Sequence, residues 1–373
     1  MRRIFFWAHF AMGLAAGVFV LLMSVTGVLL TYERQMISAA QNAAVEAPAG
    51  AEPLSVEALA EAAFAAGGAP GNTLTIQRNP AHVATLSKGR RDNALLDPYT
   101  GEILEHAGEG AEAFFGRVMR IHRWLAFTGG RNDVGAAING AANLIFGALL
   151  ISGVVLWWPR KWKWPLVKTQ LFFRRGLPNA KARHYNWHHV LAAWSFLPLF
   201  LIIISGAVFS YSWANKLVYA AFGEAPGGQG KGRAVIVAPP PELAGDVLPL
   251  DPLIEQATES FGNWRRVTIT LPQPDASTLD VSVDWGNGTQ SSKKRDVTVA
   301  RDGSGLIGGP VGDVSSPAQE MRRYLRFVHT GEIYGFIGQT LAGLASIAAI
   351  ILVYTGISLA VRRLLRMKRA ARS

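Results

Sequence analysis

Four long apolar stretches constrain the fold of this chain more than any other feature. They cover residues 4–32, 134–158, 187–213 and 333–361, and each is nearly free of charged side chains. A helix of about 20 apolar residues is long enough to cross the roughly 30 Å hydrocarbon core of a bilayer. The sequence therefore predicts four transmembrane helices. The first stretch is far longer than the apolar region of a signal peptide, so we expect it to be retained as a span.

The basic residues predict the orientation of these helices. The formal net charge is +11, and the segment 159–185 is rich in Lys and Arg but contains no Asp or Glu. Because Lys- and Arg-rich flanks stay in the cytoplasm, both termini are expected inside, and the segments 34–133 and 214–332 outside. Basic stretches also occur in nucleic-acid-binding proteins, but here the membrane flanks account for them.

The chain contains no cysteine. This excludes disulfides, thiolate metal sites, cysteine nucleophiles and haem attached through a Cys-x-x-Cys-His motif. Any metal would have to be held by His, Met, carboxylate groups or a cofactor.

The sequence repeats one plan twice, in which a span, an outside domain and a second span follow one another. "SVTGVLLTYE" ends the first span and "IISGAVFSYS" ends the third, so that Gly27 aligns with Gly206 and Tyr32 with Tyr211. Each outside segment opens with helical spacing, first behind a Ser N-cap and then with Asp251 as the expected cap. Short alternating runs follow in both copies, which predicts small α+β domains.

The second copy contains a glycine pattern that occurs both in dinucleotide-binding sites and in turns. Gly303, Gly305 and Gly308 fit G-x-G-x-x-G, but a dinucleotide-binding site needs a helix that opens at those glycines. The following residues, "GPVGDVSSP", are not helix-forming. The sequence predicts a hairpin turn, equivalent to "DPYTG" in the first copy.

Histidines stand at all four helix entrances. His9 and either His188 or His189 lie at the cytoplasmic ends of the first and third spans, and His122 and His329 precede the second and fourth spans outside. Ionisable residues at membrane depth usually face a bundle interior and mark function. Neutral imidazole is a ligand of haem iron, so the pattern predicts two b-type haems, one near each surface. The alternative is that these histidines are interfacial polar residues.

The repeat alignment favours His188 as the second inner ligand, because it places His9 on His188. Matching Trp7 with Trp187 would instead select His189. Small residues one helical turn later would give a flat macrocycle room to approach. These pairs are His9 with Gly13, His188 with Ala192, and His122 with Ala126. We expect His184 in the cytoplasmic loop, and His82 and His106 at the surface of the first outside domain.

Arginine clusters accompany the outer histidines, against the positive-inside trend. The clusters are Arg117, Arg120 and Arg123 around His122, and Arg322, Arg323 and Arg326 before His329. Haem propionates need charged partners at the membrane surface, so Arg120, Arg123, Arg323 and Arg326 are predicted to pair with them. The alternatives are a solvated helix face and attraction of an anionic substrate.

The order of span, domain and span, with "DPYTGEIL", "HRWL", "WWPR" and "HTGEIYG", resembles the PepSY-associated transmembrane family over nearly the whole chain. Some members are inner-membrane ferric-siderophore reductases with two b-type haems. The resemblance implies PepSY domains in the periplasm and haem-binding histidines at the membrane edges, which match His9, His122, His188 and His329. "RDGSG" in the second copy lacks the Tyr-Thr-Gly of the first, which indicates a divergent role for the second domain.

The predicted fold class is a membrane protein with four transmembrane α-helices, both termini inside, and two small periplasmic α+β PepSY-like domains related by an internal repeat. The expected location is the bacterial inner membrane. In the first half, the predicted boundaries are 1–33 for the first helix, 34–118 for the first domain, and 119–158 for a short helix at the membrane edge, which carries a predicted haem ligand, together with the second span. The basic loop covers 159–185. In the second half, they are 186–213 for the third span, 214–318 for the second domain, 319–361 for a second such helix together with the fourth span, and 362–373 for the basic tail.

The predicted function is reduction of a periplasmic Fe(III)–siderophore, with electrons from a cytoplasmic or quinol donor. Ferrous iron is softer than ferric iron and is held less tightly by hard oxygen ligands, so one electron releases the metal. A substrate platform is expected from the outside aromatics Tyr99, Trp124, Trp264, Trp285 and Tyr334. Two alternatives remain: a non-redox PepSY membrane protein that binds a peptide or partner, and a haem electron carrier that serves another protein.

Overall fold

The computed structural model describes residues 1–89, 92–126, 133–159, 161–226, 246–308 and 315–370. These residues fall into two compact units. The first unit is a bundle of long helices, and the second is an antiparallel sheet with short helices.

Four long helices form the bundle and confirm the four predicted apolar helices. They are α1 (Arg2–Leu29), α5 (Val134–Trp157), α7 (Ala180–Ser210) and α11 (Gly335–Ala370). Each is long and apolar enough to cross a membrane. Helices α1 and α7 each pack against both α5 and α11. The four therefore close a ring in which α1 and α7 stand diagonally opposite.

Shorter helices repeat in the same order in both halves of the chain. They are α2 (Glu33–Asn42), α3 (Val56–Ala65) and α4 (Glu109–Trp124) in the first half, α6 (Trp164–Leu171) between the halves, and α8 (Ser212–Ala220), α9 (Leu250–Thr258) and α10 (Pro317–Thr330) in the second half. The amphipathic helices α4 and α10 precede the spans α5 and α11. Each of them carries one of the outer histidines in its last turn.

Helix α7 begins earlier than its apolar stretch does. Asn179 caps it, with its side-chain oxygen accepting from the Ala182 amide at 3.0 Å. The polar turn from Ala180 onward therefore joins the helix. The prediction that His184 lies in a loop is wrong: this residue is helical and buried.

The strands of both copies join in one seven-stranded antiparallel sheet. They are β1 (Thr73–Gln77), β2 (Ala84–Ser87), β3 (Asn93–Leu96), β4 (Arg266–Thr270), β5 (Thr278–Asp284), β6 (Lys294–Ala300) and β7 (Leu306–Gly308), in the order β3-β2-β1-β4-β5-β6-β7. Strand β1 pairs with β4 along its whole length. The two domains predicted from the sequence are thus halves of one sheet, and their pairing covers two strand edges that would otherwise be exposed.

The helices on this sheet cap each other. Ser55 is the N-cap of α3, as predicted. Asp251 does not cap its own helix; its carboxylate accepts from the amides of Val56 at 2.7 Å and Glu57 at 3.1 Å in α3. In return, the Glu57 carboxylate accepts from the Leu250 amide at 2.6 Å. The expected role of Asp251 was therefore wrong, because the joined sheet brings the first turns of α3 and α9 together.

The core of the second unit consists of alternating strand residues and the inner faces of α3 and α9. Leu74, Ile269 and Leu279 are completely buried there. Gly303 and Gly305 lie in the turn that joins β6 to β7 and have positive φ angles. The prediction of a hairpin turn at the G-x-G-x-x-G pattern is confirmed.

Candidate functional site

The bundle brings His9 and His188 together. They lie on the diagonally opposed helices α1 and α7, and their ring centroids are 6.4 Å apart with the planes at 86°. His189 turns to its own helix instead: its Nδ1–H donates to the Tyr185 carbonyl at 2.9 Å, and its ring lies 4.0 Å from the Tyr185 ring. This geometry favours His188, the residue that the repeat alignment selects. We call His9 and His188 the inner pair.

The second pair is His122 in α4 and His329 in α10, which we call the outer pair. Their Nδ1 atoms contact the hydroxyls of Thr26 in α1, at 2.8 Å, and of Ser205 in α7, at 3.1 Å. Thr26 and Ser205 lie near the C-terminal ends of α1 and α7, whereas His9 and His188 lie nearer the N-terminal ends. Residues 9 and 26 in α1 have the same separation as residues 188 and 205 in α7. At 1.5 Å per residue, the two levels are about 25 Å apart along the helices.

A hydroxyl on a neighbouring helix holds each of these four histidines through Nδ1. The contacts are His9 to Ser152 at 2.9 Å, His122 to Thr26 at 2.8 Å, His188 to Thr355 at 3.0 Å, and His329 to Ser205 at 3.1 Å. The four contacts link two series of three helices: α4 to α1 and α1 to α5, and α10 to α7 and α7 to α11. We call them the four histidine anchors.

The anchors determine which ring nitrogen carries the proton. Each hydroxyl donates its single hydrogen to the carbonyl four residues earlier, at 2.6 to 2.7 Å. It must therefore accept from Nδ1–H of the histidine. His329 Nδ1 also lies 2.9 Å from the Ile202 carbonyl oxygen, which can only accept. In a neutral imidazole this leaves the Nε2 lone pair available.

A glycine follows each anchoring hydroxyl and makes room for the imidazole. A Cβ atom at these positions would lie 3.3 to 3.8 Å from the Cε1 atom of the anchored histidine. The pairs are Gly27 with His122, Gly153 with His9, Gly206 with His329, and Gly356 with His188. The hydroxyl residues were not predicted as part of the site. Their signal in the sequence is the Ser/Thr-Gly dipeptide that each span contains.

The chemistry of the four histidines would suit ligation of a haem iron. Within the described residues their Nε2 atoms form no hydrogen bond. Since a metal–imidazole bond takes about 2 Å, the 6.4 Å between the inner rings leaves space for one metal atom between them. Ligating histidines usually donate their other ring N–H to a neighbouring acceptor, which fixes the tautomer. The described part of the chain has no group of three His, Asp or Glu side chains, the arrangement typical of a bare metal ion.

One small residue predicted beside a ligand does not lie where it was expected. Helix α4 ends at Trp124, and Leu125 and Ala126 both have positive φ angles. Ala126 is therefore not one turn further along the helix face of His122, and that prediction is wrong. The space beside His122 is provided by Gly27 from α1.

His184 and His106 have other partners. His184 Nδ1 lies 2.8 Å from the Ser358 hydroxyl, and its ring lies 5.3 Å from that of Tyr354. His106 is exposed and contacts Glu109 at 2.9 Å, and this carboxylate raises the pKa of His106. His106 is thus a surface residue, as predicted.

The outer arginines lie on exposed faces of α4 and α10. Arg322 is the exception, because it is half-buried and donates to the Asn215 side-chain oxygen at 2.8 Å. Arg120 and Arg323 are exposed. Arg117, Arg123 and Arg326 are exposed as well, and two of them lie over neighbouring rings: Arg123 over Trp124 at 4.9 Å, and Arg326 over Phe327 at 5.7 Å. Pairing of these arginines with propionates remains a prediction.

The aromatic residues predicted as a substrate platform have different environments. Trp264 packs against the sheet core, and Trp285 stacks on Phe261 at 5.0 Å. Tyr334 is 63% exposed and its hydroxyl lies 3.1 Å from that of Tyr324. Trp264 and Trp285 therefore serve the packing of their own unit, whereas Tyr334 is accessible.

The four apolar helices and their histidines define a multi-pass membrane protein with a part-buried polar site at two depths. The chain matches the family described as the PepSY-associated TM region over residues 6–363. It belongs to that family. No curated protein matches the chain.

Proposed function

We propose that this chain is a di-haem electron-transfer protein of the bacterial inner membrane that reduces Fe(III)–siderophore complexes in the periplasm. The observation that carries the proposal is the set of four histidine anchors. Each anchor leaves an Nε2 lone pair available, and the four histidines form two pairs at two depths. Imidazole pairs on facing helices are typical of haem sites in bundles.

The residues of the chain have separate tasks in this proposal. His9 and His188 hold the inner group, and His122 and His329 hold the outer one. The anchoring hydroxyls orient the imidazoles, and the adjacent glycines let the rings lie against the helices. Each haem would supply one-electron redox chemistry. The apolar side chains between the two levels exclude water.

The electron acceptor is the more specific part of the proposal. It is supported by the family resemblance and by the exposed Arg120 and Arg326, which suit an anionic complex. The Lys and Arg distribution supports an acceptor on the outside, where the segments 34–133 and 214–332 are expected, since the other side has only the short basic segments. Reduction weakens the hold of oxygen ligands on the iron, which favours release.

The alternative of a non-redox protein with interfacial histidines is less well supported. Interfacial polar residues need only water as a partner. Here each histidine instead contacts a hydroxyl that donates its own proton to a helix carbonyl. Such a buried arrangement is costly unless it serves the imidazole.

The first test is the absorbance of the detergent-purified chain. We expect Soret and α bands and two haems per chain, and the double variant His9→Ala/His122→Ala should lose both. Absence of haem from a chain expressed with sufficient haem supply would refute the proposal. A Ser358→Ala variant is the matched control, because it removes a hydroxyl that holds His184 and none of the four anchors.

The second test addresses the acceptor and the direction. The protein is reconstituted in sealed vesicles with its haems reduced, and a ferric siderophore is added on one side only. Rapid reoxidation is expected when the siderophore is on the side predicted to be periplasmic, and slow reoxidation when it is on the side of the basic segment 159–185. Haems that stay reduced on both sides would favour a carrier that serves another protein. Equal rates from both sides would contradict the orientation.

A further inference from the structure

A cavity of about 620 Å³ lies where the connection between α6 and α7 meets helices α7 and α11. Its lining is of two kinds. Arg174, Arg175 and Arg183 line the basic part. Leu191 of α7 and Ile351 of α11 line the apolar part. The cavity thus joins three cations to an apolar surface at one end of the bundle, and we call it the arginine cavity.

A buried side chain holds the basic part of the cavity in place. The Asn186 side-chain oxygen accepts from the Arg174 amide at 3.0 Å. Its amide nitrogen donates to the carbonyls of Thr169 at 2.9 Å and Phe172 at 3.2 Å. Asn186 is only 6% exposed, so these bonds are shielded from water. The end of α6 and the connection that follows it are therefore fixed against α7 at three points, and the cavity is preformed.

The three arginines have no anionic partner among the described residues. Their side chains form no ion pair there, and residues 159–185 include no Asp or Glu. The guanidinium group is planar, always charged, and matched to phosphate oxygens. An anion with phosphate chemistry would satisfy all three side chains.

We propose that the arginine cavity binds the headgroup of an anionic phospholipid, with an acyl chain along Leu191 and Ile351. Basic pockets between transmembrane helices bind such headgroups. Free phosphate would leave the apolar part of the cavity without a partner, and an uncharged quinol would leave three guanidinium groups unpaired. The indole of Trp187, which also lines the cavity, suits the level between headgroups and acyl chains. This site goes beyond the proposed function and does not depend on haem binding.

The test measures lipid retention by the full chain. Detergent-purified protein is incubated with phosphatidylglycerol or with phosphatidylcholine, and bound lipid is counted by native mass spectrometry. We expect one tightly bound phosphatidylglycerol and no comparable phosphatidylcholine. The triple variant Arg174→Gln/Arg175→Gln/Arg183→Gln should bind phosphatidylglycerol about tenfold more weakly or worse.

A matched control separates the cavity from general charge attraction. The triple variant Arg362→Gln/Arg366→Gln/Arg369→Gln removes the same charge from the basic end of α11, outside the cavity lining. It should retain the lipid. Equal weakening in both triple variants would overturn the proposal, because the binding would then reflect net charge alone.

A second variant tests the apolar part. Leu191→Trp should fill the cavity and displace the lipid, whereas Leu197→Trp on an exposed face of α7 should not. Inorganic phosphate serves as a competitor. Displacement of the lipid by millimolar phosphate, or retention of lipid in Leu191→Trp, would show that the acyl chain does not occupy this site and would overturn the proposal.

Discussion

The Nδ1 atom of His188 lies 3.0 Å from the hydroxyl oxygen of Thr355 on the neighbouring helix. The Thr355 hydroxyl donates its proton to the Ile351 carbonyl at 2.7 Å, so the histidine is the donor in this contact. Gly356, the next residue, lies beside the same imidazole. The ring is therefore oriented and its tautomer fixed by α11, not by its own helix.

Removing this hydroxyl should weaken the inner haem. Thr355→Val keeps the shape of the side chain but leaves Nδ1–H without its acceptor. Loss of such a partner typically costs about 10- to 100-fold in metal affinity. We expect selective loss of one haem in a competition assay, in which a haem-free haem-binding protein captures any haem that is released. Ser358→Ala, which changes the partner of His184 instead, should keep both haems.

The inner ligand can be identified by a pair of adjacent variants. His188→Ala should reduce the haem-to-protein ratio from two to one, because the imidazole facing His9 is removed. His189→Ala should retain two haems, since that ring packs on Tyr185. The opposite result would mean that the two histidines exchange roles when haem is bound.

The outer pair is tested separately. His122→Ala or His329→Ala should each remove one haem and leave the inner haem spectrum unchanged, because the inner pair has its own anchors on other residues. The measurement is the pyridine haemochrome content together with a redox titration. A full content of two haems in either variant would rule out that histidine as a ligand.

Replacing the glycine beside an anchor should lower the affinity for haem without lowering the stability of the helix. In Gly356→Ala the new Cβ would lie 3.3 Å from His188 Cε1, so the imidazole must shift by a few tenths of an ångström. Alanine also favours a helix by about 1 kcal/mol over glycine. We expect a lower affinity for the inner haem without a lower melting temperature. Gly116→Ala in α4 is the control, because no atom lies within 4 Å of its added Cβ.

The contacts by which Asp251 and Glu57 cap each other's helices should stabilise the sheet unit. Asp251→Ala removes the acceptor for two amides at the start of α3. Loss of a cap costs about 0.5–2 kcal/mol, and we expect a melting temperature lower by several degrees when unfolding is followed by tryptophan fluorescence. Glu61→Ala, an exposed position of the same helix, should leave the melting temperature unchanged. A similar decrease in both variants would argue against the cap.

The sequence by itself determined the features that depend on local pattern. Apolar length predicted the four spans, and alternation predicted the strands from β1 to β7. Turn residues predicted the hairpin at Gly303 and Gly305. The repeat alignment paired His9 with His188 in sequence. The spans, strands and turn were confirmed because a helix or strand is specified by neighbours within a few residues, whereas His188 as a ligand stays a prediction.

Only the tertiary structure decided which distant groups meet. Thr355 is the partner of His188 because α7 and α11 are adjacent in the bundle, and no periodicity within either helix contains that information. Asp251 caps α3 because β1 and β4 pair, which also makes one sheet of two predicted domains. Long-range contacts depend on how whole elements pack, and packing is a property of the assembled chain.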